Sequence, residues 1–312
     1  MKKINLFEIK QNPEGIHYYF LGIKIWTDTQ SIKRLVRSDE TIFTDNKIKK
    51  IIPQPQLEQL SIHLTEHCNL NCQMCDNFSP LAKKEIADLK ILEKDLCRLS
   101  KLSDTQIDTI ELLGGEPLLH PNIEKALEIT RFYFPQSNIR LITNGILLPR
   151  MKESFWFAVQ KYGIIIAITK YPIDLDMDKI DNLIKKYQVS SYIYNKNSVK
   201  TSYHIPFDLL GKQDARINFI NCFHANHCVY LQNGNIYTCS IASCVKHFNH
   251  FFKKQLPDNE KNCINIYKVE TMNEILNFLA RPIPLCKYCH VLNRSYNHKW
   301  GVSKKIIEEW VD

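Results

Sequence analysis

The chain has no apolar run long enough to cross a membrane. Its most apolar early stretch, 16–26, contains Lys24 and falls far short of the roughly twenty residues a span requires. Nor is there an apolar signal core, because Met1-Lys2-Lys3-Ile4-Asn5 leads into Glu8, Lys10 and Gln11. Both absences point to a cytoplasmic protein. With 44% hydrophobic and 24% charged residues in 312, the composition also lacks the bias of a disordered chain, a collagen-like repeat or a coiled coil. Charge of one sign is not gathered anywhere: 41 Lys+Arg against 33 Asp+Glu leave +8, and the basic pairs, Lys49-Lys50 and Lys185-Lys186 among them, are scattered. A nucleic-acid binder concentrates such charge on one face. What remains for the basic excess is a solvated surface and attraction of an anionic small molecule.

Cysteine is plentiful, with eleven residues, yet absent between Cys97 and Cys222. An odd count in a reducing compartment favours metal or redox chemistry over disulfides. The gap divides the thiols into two sites. Cys68, Cys72 and Cys75 form C-x3-C-x2-C. A cuboidal 4Fe–4S cluster takes one thiolate per iron, so a loop with three leaves one iron open for a reactant. Structural zinc is the competing reading, with His63 or His67 as a fourth ligand.

The alternation Leu60-Ser61-Ile62-His63-Leu64 predicts a strand leading into that loop. A second strand is expected over 107–113, ending in Gly114-Gly115-Glu116-Pro117, where glycines let another molecule approach the backbone. Ile139-Arg140-Leu141-Ile142-Thr143 reads as a third strand closed by Asn144-Gly145, and 163–169 as a fourth, almost wholly apolar. Apolar spacing predicts helices over 89–102, 123–134, 150–162 and 177–187. Strands alternating with helices give a parallel sheet, with the motifs at its C-terminal edge.

These residues resemble the radical S-adenosylmethionine (SAM) superfamily. The cysteine triplet and Gly-Gly-Glu-Pro stand in that superfamily's order, and Thr143-Asn144-Gly145 also recurs there, so the likeness covers about 58–195. It implies an α/β fold, a partial (β/α)6 radical SAM barrel. It further implies that Cys68, Cys72 and Cys75 hold a 4Fe–4S cluster whose open iron takes SAM. Gly114, Gly115, Glu116 and Pro117 would lie against the SAM methionine, with the Glu116 carboxylate and the strand-end backbone meeting its amino group. Thr143, Asn144 and Lys170 complete the expected cofactor contacts. The position before the third cysteine, usually aromatic and set against adenine, is Met74 here, apolar and polarizable enough to cover a purine. The chemistry implied is reductive cleavage of SAM to a 5′-deoxyadenosyl radical, fed by an external one-electron donor such as flavodoxin or ferredoxin.

Val229-Tyr230-Leu231 and Ile236-Tyr237-Thr238 flank Asn233-Gly234, a hairpin signal, with Cys222 before it and Cys239 after it. Cys286-Lys287-Tyr288-Cys289 adds a C-x2-C pair, and no cysteine follows. The pattern resembles a Twitch-like auxiliary-cluster extension rather than the longer SPASM form, and implies a second 4Fe–4S cluster on Cys222, Cys239, Cys286 and Cys289. Cys228 is an alternative to Cys222, and structural zinc an alternative to the cluster. Cys244, expected to begin a helix, reads with Cys97 and Cys263 as a small hydrophobe.

The organisation expected is an N-terminal extension 1–57, a barrel 58–215, and an auxiliary region with a C-terminal helix 216–312. The run 17–26 loosely resembles a segment found in enzymes of bacterial surface-polysaccharide loci, and equally suits an ordinary packing strand. Ser303 is expected to cap the last helix, with Trp310 as its anchor. The functional expectation is a radical SAM oxidoreductase that oxidises or epimerises a small polar substrate, a sugar or sugar derivative. Peptide modification is the alternative, and a non-enzymatic iron–sulfur or zinc module the alternative of another class. Lys170, Tyr171, Cys228 and Cys244 are the candidate catalytic residues. Asp76, Asn77 and Ser79 could tune the first cluster, whereas His247, Asn249 and His290 are expected to solvate the surface.

Overall fold

The computed structural model describes residues 7–12, 15–20, 23–28, 52–194 and 201–312. The chain divides into two compact units, Met1–Lys49 and Lys50–Asp312. In the first, strands β1 (Phe7–Asn12), β2 (Gly15–Phe20) and β3 (Ile23–Asp28) form an antiparallel sheet in that order. Much of the remaining N-terminal extension lies outside the described residues.

The second unit is built on parallel strands β4 (Gln59–Thr65), β5 (Thr109–Gly114), β6 (Asn138–Thr143), β7 (Ile165–Thr169) and β8 (Ser191–Tyr194), adjacent in that order. Helices α1 (Leu89–Ser103), α2 (Ile123–Tyr133), α3 (Glu153–Lys161) and α4 (Met177–Tyr187) connect them. Start signals are local: Asp88 accepts from Lys90 N at 2.8 Å ahead of α1, and Asp176 from Lys179 N at 3.0 Å ahead of α4. The sheet has two unlike faces. Leu60, Ile62, Leu64, Ile110, Leu112, Ile139, Leu141, Ile166 and Ile168 join Leu96 and Leu99 of α1 and Ala126 and Leu127 of α2 in one core. Their neighbours along the strands, Ser61, His63, Glu111 and Arg140, point the other way and stay outside that core.

The sheet continues beyond the barrel strands. After β9 (Thr201–His204) and α5 (Ala215–Asn221), strand β10 (Tyr230–Gln232) pairs parallel with β4. It turns through Asn233 and Gly234, at φ 48° and 73°, into β11 (Asn235–Tyr237), which pairs with β12 (Cys263–Asn265). Positive φ at both positions is what a type I′ turn demands. The strand order β12-β11-β10-β4-β5-β6-β7-β8 leaves two open edges, so the sheet is an unclosed, parallel-dominated one, consistent with a partial barrel. Helices α6 (Ser240–Phe252) and α7 (Met272–Leu279) follow, and β13 (Ser295–Lys299) pairs antiparallel with β9.

The C-terminal helix expected over 303–311 is absent; only one 3-10 turn, Ile307–Glu309, forms there. Glu309 reaches back to Ser303 Oγ at 2.6 Å and Lys304 N at 2.5 Å, and Lys305 takes φ 57°, so the backbone turns where a helix would need to run. Trp310 is nevertheless an anchor, 3% exposed against Phe78 and Phe252. Cys244 lies in the second turn of α6 rather than at its start, which Cys239 caps.

One buried carboxylate fastens the hairpin to the barrel. Asp95 of α1 accepts from Gly234 N and from Tyr267 Oη, each at 2.7 Å. Asp95→Ala leaves the buried Gly234 N without a partner, while Tyr267, 52% exposed, can turn to water, and we expect it to lower the unfolding free energy of the apoprotein by about 1–3 kcal/mol. Urea unfolding of wild type and variant tests this, and a loss within about 0.5 kcal/mol would show that the sheet holds the hairpin unaided.

Candidate functional site

The loop after β4 presents Cys68, Cys72 and Cys75 together, and every sulfur already meets a donor. Leu70 N donates to Cys68 Sγ at 3.3 Å, and Trp300 Nε1 to Cys72 Sγ at 3.2 Å. The Tyr171 side chain hydrogen-bonds Cys72, and the backbones of Asn77 and Ser79 hydrogen-bond Cys75. Burial drives the Cys68 thiol up to about 12 and Cys75 up to about 11, and each neighbouring thiolate adds to the rise. Three close thiols held beneath donors, yet disfavoured as free thiolates, make a coherent site only with a cationic centre to bind them. The donor set therefore fits an iron–sulfur cluster.

The tail of the chain forms one wall of this loop. Gln73 N donates to Gly301 O at 2.8 Å and Ser303 N to Asn71 O at 2.9 Å, while Trp310 Nε1 donates to Cys75 O at 3.2 Å. Tyr171 meets Trp300 edge to face at 6.2 Å. Met74 sits at φ 55°, a left-handed conformation uncommon for such a residue. Asp76 pairs with His224 at 3.5 Å, and Asn77 Nδ2 donates to Gly114 O at 3.0 Å. The Ser79 hydroxyl is buried and finds no hydrogen-bond partner among the described residues.

Gly114-Gly115-Glu116-Pro117 lies directly against the chain leaving β4. A Cβ on Gly115 would lie 2.0 Å from His67 O, and one on Gly114 2.1 Å from Thr65 O. The side of each glycine on which a Cβ would stand is therefore taken by the chain's own backbone. Gly115 N and Glu116 N are also spent, donating to Thr65 O at 2.8 Å and His67 O at 3.1 Å. Glu116, expected to offer its carboxylate to a ligand amine, is 1% exposed and turned inward. It accepts from Thr143 Oγ1 at 2.7 Å, Asn144 N at 3.0 Å and Leu118 N at 3.2 Å. Burial outweighs these donors and raises its carboxyl to about 7. Asn144 completes the tie, its Nδ2 donating to Asn69 Oδ1 at 2.8 Å. Pro117 opens a 3-10 turn behind the same carboxylate.

The inner sheet face was not foreseen as a site. Arg140 Nη1 stands 3.7 Å from Glu111 Oε1, and Ser61 Oγ donates to Glu111 at 3.3 Å. The Arg140 guanidinium lies over the Tyr192 ring at 5.9 Å, and the Tyr192 and Tyr194 hydroxyls are 2.7 Å apart. Burial raises the Glu111 carboxyl, with Arg140 opposing. The available signal was a charge in mid-strand, Glu111 and Arg140 each flanked by apolar residues.

The second set converges too. Cys222, Cys239, Cys286 and Cys289 line one cavity with Asn218, Ala225, Thr238, Ile241, Ile283 and Leu285. Asn218 holds the C-x2-C pair, donating from Nδ2 to Cys286 O at 2.8 Å and also to Cys289 O. Burial pushes the Cys239 and Cys289 thiols well up, and the other cysteines of the cavity push them further. Thr238 Oγ1, buried beside these thiols, finds no partner among the described residues. Four converging thiols and an unsatisfied hydroxyl fit a Cys-ligated cluster or metal. Cys228 is not among the lining residues.

The other candidates disperse. Lys170 is exposed. Cys97 neighbours Tyr133, and Cys263 Sγ reaches Glu260 O at 3.7 Å. His290 pairs with Asp312 at the surface. His247 and Asn249 are buried, contrary to a solvating role: His247 meets Glu66, and Asn249 Nδ2 donates to Leu256 O at 2.7 Å. Cys244 is fully buried beside His63.

Residues 62–169 match the family model of the radical SAM superfamily. A GTP 3′,8-cyclase of Sulfurovum sp. (strain NBC37-1) is 29% identical over 97 residues, 31% of this chain and 30% of that one. A GTP 3′,8-cyclase of Staphylococcus haemolyticus (strain JCSC1435) is 24% identical over 271 residues, 81% and 71% of the two chains. Among solved structures, BtrN in complex with AdoMet and 2-DOIA aligns with a TM-score of 0.47 at 16% identity, covering 76% of this chain and 94% of that one. The match thus spans about a third of the length of the Sulfurovum cyclase. Residues 62–169 thus carry a radical SAM domain, a family that implies a 4Fe–4S cluster and SAM. No helix among the described residues is long and apolar enough to cross a membrane.

Two outcomes follow from the glycine and glutamate geometry. Gly115→Ala must push back the backbone at His67, so stability and iron uptake by the Cys68 loop should fall together, with a cost of about 1–3 kcal/mol. Thermal unfolding and iron analysis after reconstitution check this; loss of SAM binding with both unchanged would return the glycine to a ligand-contact role. Glu116 binds a proton more tightly folded than unfolded, so its contribution falls as pH rises from about 4.5 to about 7 and is constant above. Glu116→Gln should remove that part of the decline while lowering stability throughout, as unfolding of the apoprotein between pH 5 and 8 would reveal.

Proposed function

We propose that this enzyme is a radical SAM oxidoreductase with one auxiliary 4Fe–4S cluster, acting on a small, polar, hydroxyl-bearing molecule. The observation that carries the reading is the cavity of Cys222, Cys239, Cys286 and Cys289 in the same compact unit as the Cys68–Cys72–Cys75 loop. Cys68, Cys72 and Cys75 would hold the SAM cluster, and the other four thiols the auxiliary one. When bound, the first cluster with SAM supplies a 5′-deoxyadenosyl radical that takes a hydrogen atom, and the second supplies a one-electron acceptor.

The chain's own residues prepare this chemistry. Trp300 and Tyr171 donate to the Cys72 sulfur, and hydrogen bonds to sulfur raise the potential of a bound cluster. Met74 remains the residue proposed against adenine, and Thr143 and Asn144 fix the loop through Glu116 and Asn69. Glu111, Arg140, Tyr192 and Tyr194 supply acceptors and donors on the inner sheet face, which suits hydroxyl or anionic groups more than an apolar substrate. A sugar or sugar derivative is the class that combines these features. An external one-electron donor completes the electron balance.

Anaerobically reconstituted protein should contain about eight irons per chain, falling to about four when Cys68, Cys72 and Cys75 are all replaced by Ala, with SAM cleavage abolished. Replacing Cys286 and Cys289 by Ala should also leave about four irons, but here SAM cleavage continues without product. Oxidation releases a product two hydrogens lighter for each SAM consumed. A product of unchanged mass carrying one solvent hydrogen on carbon would make the enzyme an epimerase, and stoichiometric zinc without sulfide would overturn the cluster assignment. A second reading, cyclisation of GTP, rests on the relative aligned over 81% of the chain. Conversion of GTP by the reconstituted enzyme would establish it in place of the first.

A further inference from the structure

Apart from the two cysteine sets, a third group of metal-binding side chains meets inside the fold. His63 and Glu66 stand three residues apart at the end of β4, as do Cys244 and His247 on α6. Helical spacing puts the latter two on one face of α6, and that face meets the end of β4. Cys244 Sγ lies 3.8 Å from His63 Nδ1, which in turn lies 3.6 Å from Glu66 Oε1. One donor atom from each of these three residues falls within 4.8 Å of the others. Glu66 Oε2 is held by His247 Nε2 at 2.6 Å. Relative exposures of 6% for His63, 7% for Glu66, 0% for Cys244 and 7% for His247 keep the group out of bulk water.

We propose that His63, Glu66 and Cys244 form a site for a divalent metal ion, zinc by its donor set, with His247 positioning the carboxylate. Ligands of a tetrahedral zinc stand roughly 3.3–3.6 Å apart, given bonds of about 2.0–2.3 Å. The two spacings at His63 need only tenths of an ångström of adjustment, and Cys244 and Glu66, within 4.8 Å of each other, must close by up to about an ångström. One imidazole, one carboxylate and one thiol suit zinc and do not suit magnesium or calcium, which take oxygen ligands. The site also differs from an iron–sulfur cradle, which is built of thiolates. Three protein donors leave a fourth position for water or a substrate oxygen, the arrangement of reactive zinc.

The surroundings are accounted for. Gln232 Nε2 donates to Glu66 Oε1, and Lys246 Nζ, 4.0 Å from that oxygen, is also bound to Gln232 Oε1 at 3.0 Å. Ser243 Oγ lies 3.3 Å from Cys244 Sγ, and the Tyr230 ring meets His63 edge to face at 4.9 Å. Without a cation, burial and the Glu66 carboxylate hold the Cys244 thiol well above its usual range. A bound divalent ion reverses that balance, holding the thiolate and neutralising the carboxylate. The His247–Glu66 contact then acts as the outer hydrogen bond that orients a ligating group.

The test uses holoprotein reconstituted with iron and sulfide, supplied with one equivalent of zinc and desalted. About one zinc per chain should remain, with zinc-edge absorption giving one sulfur at about 2.3 Å and lighter donors at about 2.0–2.2 Å. Cys244→Ser and His63→Asn should remove the zinc and leave the iron count unchanged. His247→Gln should weaken zinc binding roughly tenfold or more. Zinc should survive replacement of Cys68, Cys72 and Cys75 by Ala. No retained zinc, zinc that persists in folded Cys244→Ser, a shell with two or more sulfurs, or zinc lost with the triple replacement each overturns the site.

Discussion

The site depends on a backbone contact. β5 ends at Gly114 and is followed by Gly115 because the chain there lies directly on the chain leaving β4, with no room for a Cβ between Gly115 and His67. That contact sets where the cysteine loop begins. Glu116 extends it sideways: its backbone receives Thr65 Oγ1 at 2.9 Å, and its carboxylate receives the Thr143 and Asn144 donors. Three strand ends are thus joined through one residue, whose carboxyl group is buried. Such a group costs desolvation, offset only while its donors stay in place. The arrangement favours one geometry over many, which a cluster held by three short side chains requires.

Sheet asymmetry makes the next level of organisation possible. A parallel sheet buried on both faces reads as continuous apolar sequence, and β7 does. β5 and β6 do not, since Glu111 and Arg140 interrupt them on the face away from the helices. A polar inner face cannot serve as a packed core, but it can recognise a polar molecule. β10 then extends the same sheet past β4, so the second cysteine set belongs to the barrel's own framework instead of hanging from a linker. Asp95 and Arg98 strengthen the join, Arg98 donating to Ile266 O at 3.0 Å and Val269 O at 2.5 Å.

Much of this was legible in the sequence. Alternation gave β4 and β6, helical spacing gave α1 and α4, and Asn233-Gly234 marked the hairpin turn. These features are written locally. The four thiols of the second cavity were also found, because hairpin geometry brings Cys239 close to residues before the turn. What sequence did not reveal depends on distant pairings. Trp300 lies 228 residues from the sulfur it meets, and Cys244 lies 181 from His63. Adjacent glycines signal close approach without saying what approaches, and the contact of Gly114 and Gly115 with the backbone at Thr65 and His67 is one that the motif alone does not specify. The final helix failed because Glu309 bonds back to Ser303 and Lys304, a competition that helical periodicity does not register.

The tail makes the cysteine loop a shared structure. Gly301 and Ser303 bond the loop backbone, Trp310 bonds Cys75 O, and Trp300 reaches the Cys72 sulfur. The loop carries Met74 at positive φ, a strained state that persists only where neighbours fix it. A ligand that binds the three sulfurs in this arrangement stabilises every contact made only by the ordered loop. Linkage runs both ways: tail docking lowers the ordering cost of ligand binding, and ligand binding strengthens docking by the same free energy. Residues 300–310 therefore belong to the first cysteine site as much as residues 68–75 do, although more than two hundred positions separate them.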